Sequence, residues 1–327
     1  MSSDLRAAFA PPANLAVIDL APRAASLHAE VLAGLSRTPK SLPPKLFYDA
    51  RGSELFAAIC TTSAYYLTRV ETTILTRHAD EIAATLGRGC AILEPGAGDA
   101  HKIRLLLPAL RPRLYAAYDI SREPLMSAAY ALAREFPAMQ VRAVHADYLQ
   151  SGVDGLMIPD GARRVVFFPG SSIGNYEHGE VLTFLRRVRQ ATRDGGAALI
   201  GVDLKKPTVW LDLAYNDPEG YTAQFNLNVL ARINRELGAD FRVEAFSHLA
   251  FYDAARGRVE MHLESRRDQE VRIGSRRFAL RGAETIHTEN SYKYAPEEFI
   301  ALARTAGFAV HRLWTDERDW FGVFYLA

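Results

Sequence analysis

The sequence predicts an α/β protein: a doubly wound parallel sheet with an α+β subdomain inserted late in the chain. Three observations carry this expectation. Between Cys90 and Leu204, short apolar runs alternate with stretches of helical spacing, the pattern of β/α units in a parallel sheet. After Asp203 the alternation stops, and helices are followed by runs of period two. The final WFGVFYLA is again dense in apolar residues and would return the chain to the sheet.

Taken in order, residues 1–39 read as a loose lead-in with one helix from about Arg23 to Leu35, and Pro43-Pro44 then punctuates the chain. Leu55, Phe56 and Ile59, then Val70, Ile74 and Leu75, then Ile82 and Leu86, have the spacing of helices over 52–85. AILEP, LYAAYDIS, MQVRAVHADY, RRVVFFP and AALIGVDL are the five expected strands. KIRLLLPAL, EPLMSAAYALAREF and residues 179–193 are the intervening helices. In the insertion, TAQFNLNVLARINREL is a helix. FRVEAFSHLAFYD, RGRVEMHLESRRDQEVRIG and SRRFALRGAETI alternate like antiparallel strands, with turns at Arg256-Gly257 and Gly274-Ser275. A helix at 296–306 and a strand near 308–315 precede the last run. The expected division is a core of 80–205 and 288–327, a substrate-binding or lid region of 40–79 and 206–287, and the lead-in.

Composition narrows the function. Of 327 residues, 49% are hydrophobic and 24% charged, so the chain has ample material for a core. Lys plus Arg number 39 against 38 Asp plus Glu, a formal net charge of +1, which lacks the cationic surplus of a nucleic-acid binder. Cys60 and Cys90 sit in no metal-ligand spacing and read as reduced thiols. No His/carboxylate motif for a metal is present. No apolar run reaches the roughly 20 residues that cross a bilayer, and the first residues do not read as a signal peptide. A cytoplasmic monomer acting on a small molecule, with no membrane or nucleic-acid partner, is the expectation.

Gly96-Ala97-Gly98 follows the first strand of the sheet and opens a helix, at the carboxyl-end crevice where α/β sheets bind ligands. Asp119 ends the second strand, where an acid accepts from ribose hydroxyls. Asp147 ends the third, placed to hold an adenine amine with Tyr148 against the ring. His101 fills the position where a dinucleotide fingerprint needs a small residue, and no GxxxxGK[ST] loop is present. An adenosine cofactor without phosphates, S-adenosylmethionine, fits these residues, with Lys102 and Glu94 near its amino-acid tail. The strand order then expected is that of a Rossmann-like class I S-adenosylmethionine-dependent methyltransferase.

KSLPPKLFYDARGSELFAAICTTSAYYLTRVE, EPGAGDAHK, FFPGSSIGN, AYNDPEGYTAQFNLNVLARINRELGADF and VEMHLES resemble the histidine Nα-methyltransferase family, from about residue 40 to the end. The resemblance implies trimethylation of the α-amine of L-histidine to hercynine, the first step of ergothioneine biosynthesis. It implies cofactor contacts by Gly96, Lys102, Asp119, Asp147 and Tyr148. It implies substrate contacts by Tyr65, Asn175, Tyr215, Met261, Glu289 and Ser291, with Tyr48 beside the amine. In this reading Tyr215 and Asn175 donate to the substrate carboxylate, Glu289 accepts an imidazole N–H, and Ser291 bonds the other ring nitrogen. Asp99 and His101 depart from the small or hydroxylated residues familiar before Lys102. A sister enzyme for another amino acid such as tryptophan, or a non-catalytic S-adenosylmethionine-binding protein, are the alternatives.

Overall fold

The computed structural model describes residues 12–20, 24–146 and 158–327. In chain order it begins with β1 (Leu15–Asp19), α1 (Ala24–Leu35), the two-residue β2 (Lys40–Ser41), α2 (Ala50–Thr61), α3 (Tyr66–Arg77) and α4 (Ala79–Leu86). Then come β3 (Ala91–Pro95), the short α5 (His101–Arg104) and α6 (Leu107–Leu110), β4 (Leu114–Asp119), α7 (Arg122–Glu135) and β5 (Gln140–His145). β6 (Arg164–Phe168), α8 (His178–Thr192) and β7 (Ala197–Asp203) complete the β/α alternation. The inserted part holds α9 (Thr208–Tyr215), α10 (Tyr221–Leu237), β8 (Phe246–Asp253), β9 (Arg258–Ser265), β10 (Gln269–Ile273), β11 (Arg276–Leu280) and β12 (Thr285–Tyr292). The chain ends with α11 (Pro296–Thr305), β13 (Val310–Thr315) and β14 (Phe321–Leu326).

The large sheet runs β1-β5-β4-β3-β6-β7-β14-β13. Its β/α strands are parallel, and β14 is antiparallel to both β7 and β13. β3, β4 and β7 are buried along their whole length because helices cover both faces, which is why they read as unbroken apolar runs. The order reverses between β3 and β6, and the crevice outside the carboxyl ends of these two strands is the switch point. This is the Rossmann-like methyltransferase sheet.

The chain departs from the sequence reading in four places. Residues 15–19 of the lead-in form an edge strand, parallel to β5 with Leu15 opposite Val141. Its LAVID run is as apolar as the inner strands, but at the sheet's edge it stays half-exposed; Val17 is 47% exposed. KIRLLLPAL forms two short helices because Pro108, in the first turn of α6, has no N–H to continue α5. RGRVEMHLESRRDQEVRIG splits into β9 and β10, and β10 pairs with β11 as a separate hairpin whose Arg272, Arg276 and Arg277 are exposed. SRRFALRGAETI likewise divides, its last two residues opening β12, whose remainder through Tyr292 was not anticipated, in a smaller sheet of order β2-β12-β9-β8. The return to the large sheet therefore begins after Tyr292.

Two apolar clusters cover the faces of the large sheet, and a third fills the space between the smaller sheet, α2, α9 and α10. α3 joins them: Tyr66 and Leu67 pack into the third cluster, Ile74 and Leu75 into the first. The loop after β6 seats directly on β12, since a Cβ on Gly174 would lie 2.8 Å from the Tyr292 carbonyl oxygen. Only glycine allows that approach.

Candidate functional site

At the end of β3 the chain turns through Gly96 and Gly98, both at positive φ (69° and 55°). Asp119, at the end of β4, accepts the Gly98 N–H through Oδ2 at 2.9 Å and the Ser121 N–H through Oδ1 at 2.7 Å. Burial raises its pKa, and these N–H groups oppose the rise. The glycine turn is a cradle: a Cβ on Gly98 would meet nothing within 4 Å. Asp119 has lone pairs left over for hydroxyl groups, and the open turn lets a ligand approach backbone. These residues fit the ribose end of S-adenosylmethionine. Asp147 and Tyr148 lie outside the described residues.

Lys102 does not face solvent. Its ammonium is 2.6 Å from Oε2 of buried Glu71 on α3. Glu71 also accepts the Gly170 N–H at 2.9 Å on each oxygen, which ties α3, α5 and the loop after β6 together across the switch point. Glu71 was missed in the sequence, although a carboxylate in the apolar i, i+4, i+8 series with Leu67 and Leu75 is a visible signal. Glu94 is engaged elsewhere: Tyr115 donates to its Oε2 at 2.7 Å, and burial pushes its pKa up to about 8.

Tyr48, Tyr65, Asn175, Tyr215, Met261, Glu289 and Ser291 all line one cavity, although they come from six separate segments. Tyr48 follows the 3-10 turn Pro44–Phe47, Tyr65 caps α3, and Asn175 ends the 3-10 turn Ser172–Asn175. Tyr215 is the last residue of α9. Glu289 and Ser291 alternate on β12 and so share a face, while antiparallel pairing places Met261 of β9 opposite Glu289. A register shift between His287 and Glu289 sets this pairing. Phe56 and Phe225, missed in the sequence, add aromatic wall; each rests about 6 Å, centroid to centroid, from the Tyr48 ring.

Among the described residues, nothing hydrogen-bonds to the side chains of Glu289 or Asn175. Burial pushes the Glu289 carboxyl up to about 7, against the attraction of Lys293. Both side chains are half-buried, so their polar groups stand ready for a ligand to satisfy in place of water.

Behind the cavity lies a charged network that the sequence reading did not contain. Lys293 is fully buried and donates to Asp203 Oδ2 at 2.7 Å, Ser291 Oγ at 2.8 Å and the Tyr215 hydroxyl at 3.1 Å. Asp203 also pairs with Lys206 and accepts from the Tyr66 hydroxyl at 2.8 Å. Burial lowers the Lys206 pKa to about 8, whereas Asp203 stays below the usual carboxylate range because the attraction of Lys293 and Lys206 outweighs its burial. One expectation changes here. Tyr215 donates its proton to Ser291 Oγ at 2.7 Å, so it is not free for a substrate carboxylate. The sequence signal was weak, since Lys293 sits in SYKY while its charge partner Asp203 lies far away in the chain.

Among the described residues no group of three His, Cys, Asp or Glu is placed to hold a metal ion, and no helix is long and apolar enough to cross a membrane. Cys60 and Cys90 are both free thiols.

Comparison with known proteins agrees with this geometry. The histidine N-alpha-methyltransferase of Mycobacterium tuberculosis is 41% identical over 304 residues, 91% of this chain and 94% of its own. That of Mycolicibacterium smegmatis is 40% identical over 306 residues, 92% and 94% of the two chains. Ergothioneine biosynthesis protein 1 of Neurospora crassa is 33% identical over 298 residues, 88% of this chain and 33% of that longer protein. A sequence profile described as "Histidine-specific methyltransferase, SAM-dependent" matches residues 27–327. Matched over nearly its whole length, the chain belongs to the S-adenosylmethionine-dependent, histidine-specific methyltransferases.

Proposed function

We propose that this chain transfers three methyl groups from S-adenosylmethionine to the α-amine of L-histidine, giving hercynine at the start of ergothioneine biosynthesis. The observation that carries the substrate is the cavity in which Glu289 and Asn175 are left without protein partners beside Ser291. Histidine offers a carboxylate, an amine and a ring with two nitrogens, and this set of residues answers each. Asn175 donates to the carboxylate and its oxygen accepts from the amine. Glu289 accepts a ring N–H in a charge-assisted bond, and Ser291 bonds the other ring nitrogen. Met261, opposite Glu289, closes the space a larger indole would need. A site built around such bonds rejects a ring that cannot make them.

Gly96, Asp119, Lys102, Asp147 and Tyr148 are assigned to the cofactor, which supplies a methyl group on a cationic sulfur. The chain's part is alignment, and most of the acceleration comes from it. An ammonium beside that sulfur is disfavoured by like charge and releases its proton more readily. Tyr48 orients the amine rather than acting as a base, since an ordinary tyrosine titrates near 10. Tyr48 and Tyr65, with Phe56 and Phe225, form an aromatic wall that tolerates the quaternary ammonium product. We take the protein to act as a cytoplasmic monomer on this small molecule, without nucleic acid or membrane; the net charge of +1 supports the first of these exclusions.

The test is a mass-spectrometric product screen of the protein with S-adenosylmethionine and each amino acid. Trimethylated histidine is the expected product. Glu289→Ala is expected to lower histidine kcat/KM by at least about 100-fold, the loss of a charge-assisted bond and its partner's desolvation, and to let tryptophan turnover appear. Unchanged selectivity in that variant overturns the pocket assignment, and transfer to a different amino acid by the wild type overturns the substrate.

A further inference from the structure

Lys293 has three N–H donors and no acceptor, and all three donors are engaged on Asp203, Ser291 and Tyr215. The consequence falls on Ser291. Its oxygen has two lone pairs; one takes the Lys293 proton at 2.8 Å and the other takes the Tyr215 hydroxyl proton at 2.7 Å. Its own proton then has one direction left, into the cavity that Ser291 lines. Lys293 also makes Tyr215 the better donor of the two hydroxyls: its charge lies 4.9 Å from the phenol ring and favours electron withdrawal from the O–H. Reversal would need Ser291 to donate to the Tyr215 oxygen, which already accepts from Lys293 at 3.1 Å and whose second lone pair is conjugated into the ring, so the phenol is the poorer acceptor of the two.

We propose that Lys293 is a positioning residue that locks Ser291 as a hydrogen-bond donor, so that the pocket admits the substrate ring only as a neutral imidazole with one N–H and one bare nitrogen. Glu289 takes the N–H and Ser291 meets the bare nitrogen. An imidazolium, with two N–H groups, would set one of them against the Ser291 proton. A donor-only ring would leave that proton unpaired. This deepens the histidine reading and rests on it. It also has a chemical use, because it keeps a second cation out of a cavity next to a sulfonium. The charged and titratable groups packed on Lys293 and its hydroxyl partners are Asp203 of β7, Lys206 beyond it, Tyr66 and Tyr65 at the start of α3, Tyr215 of α9 and Glu289 of β12.

Two measurements test this. The first uses the wild-type protein: nitrogen NMR of ring-labelled histidine bound beside S-adenosylhomocysteine at pH 6, where free imidazole, titrating near 6.5, is mostly charged. One bare and one protonated ring nitrogen are expected. Two protonated nitrogens overturn the proposal. The second compares histidine with an alanine derivative bearing a pyrrole ring, which keeps an N–H but has C–H in place of the bare nitrogen. An unpaired buried hydroxyl costs about 1–3 kcal/mol, so the wild type is expected to prefer histidine by an additional factor of about 5 to 150 in KM. In Lys293→Met one lone pair of Ser291 is freed and its proton is no longer confined to the cavity, and the preference is expected to shrink below about fivefold with little change in the affinity for S-adenosylhomocysteine. An unchanged preference in a folded Lys293→Met protein overturns the proposal; if that variant does not fold, the NMR result decides. Failure of the wild type to bind histidine at all would remove the substrate reading and this inference together, whereas histidine bound as the imidazolium removes the inference alone.

Discussion

Asp119, buried, and Glu289, half-buried, are both carboxylates on strands that border the crevice, and the protein treats them in opposite ways. Asp119, on the large sheet, is held by two backbone N–H groups, from Gly98 and Ser121. Glu289, on the smaller sheet, receives no hydrogen bond from any described residue and rises to about 7. The half assigned to the methyl donor is thus braced by backbone N–H groups, which any sequence with the right turn supplies. The acceptor half is built from side chains held open for a ligand. A cofactor shared by many enzymes suits the first construction. A substrate that must be told from its relatives suits the second.

The largest expected effect comes from breaking the backbone-built half. Asp119→Ala removes the hydroxyl acceptor and leaves the Gly98 and Ser121 N–H groups unpaired. With roughly 1.5–3 kcal/mol for each bond to a charged group, S-adenosylmethionine affinity is expected to fall by more than about 100-fold. Isothermal titration measures it directly. A dissociation constant within about threefold of wild type would mean that Asp119 only braces the turn.

The same contrast explains how much was legible in the sequence. The turn at Gly96 to Gly98 and the acid at Asp119 follow from local pattern, because strand end, glycine bend and helix start are neighbours in the chain. The cavity residues do not. Tyr48, Tyr65, Asn175, Tyr215, Met261 and Glu289 lie on six segments, and only the resemblance to a family brought them onto one short list; the fold places them around one space. Lys293 escaped both routes. Its partners Asp203 and Tyr215 are far away in sequence, and a lone lysine in SYKY looks like any surface lysine. β1 and β12 escaped for a different reason. One is a half-exposed edge, and the other carries polar site residues where a strand pattern would ask for apolar ones.

The next expected effect sharpens the comparison through pH. Glu289 titrates near 7 in the folded protein and near 4.3 when unfolded. The folded state therefore binds the extra proton between these values. The stability this contributes is fully present below about 4.3 and is lost as pH rises through 7. Glu289→Gln keeps the shape and removes the titration. Its Tm is expected to gain on the wild type by about 4 °C between pH 5 and pH 8, as read by calorimetry of the ligand-free protein. Glu94 shifts in the same direction but is present in both proteins, so it cancels in the difference. An equal Tm gap at both pH values would show that Glu289 is compensated after all.

The smallest expected effect lies on the seam between the two halves. Tyr48 lines the proposed substrate cavity, and its carbonyl receives a long 3.5 Å contact from the hydroxyl of Ser121, whose own N–H binds Asp119. Tyr48→Phe leaves the ring packing on Phe56 and Phe225 intact and removes only the hydroxyl. The first methylation has an amine with several N–H groups to anchor it, but each transfer replaces one of them with a methyl group. By the last round the dimethylammonium has a single N–H, and the Tyr48 oxygen accepts it and sets the orientation of the nitrogen before that proton leaves, with the aromatic wall behind it. Loss of one hydrogen bond, about 1 kcal/mol, is therefore expected to slow the third transfer about fivefold while hardly changing the first. Time-resolved mass spectrometry should then find dimethylhistidine accumulating. A variant that slows all three transfers equally would place Tyr48 in the binding of the amino acid as a whole, and one that makes trimethylhistidine at the wild-type rate would remove it from the chemistry.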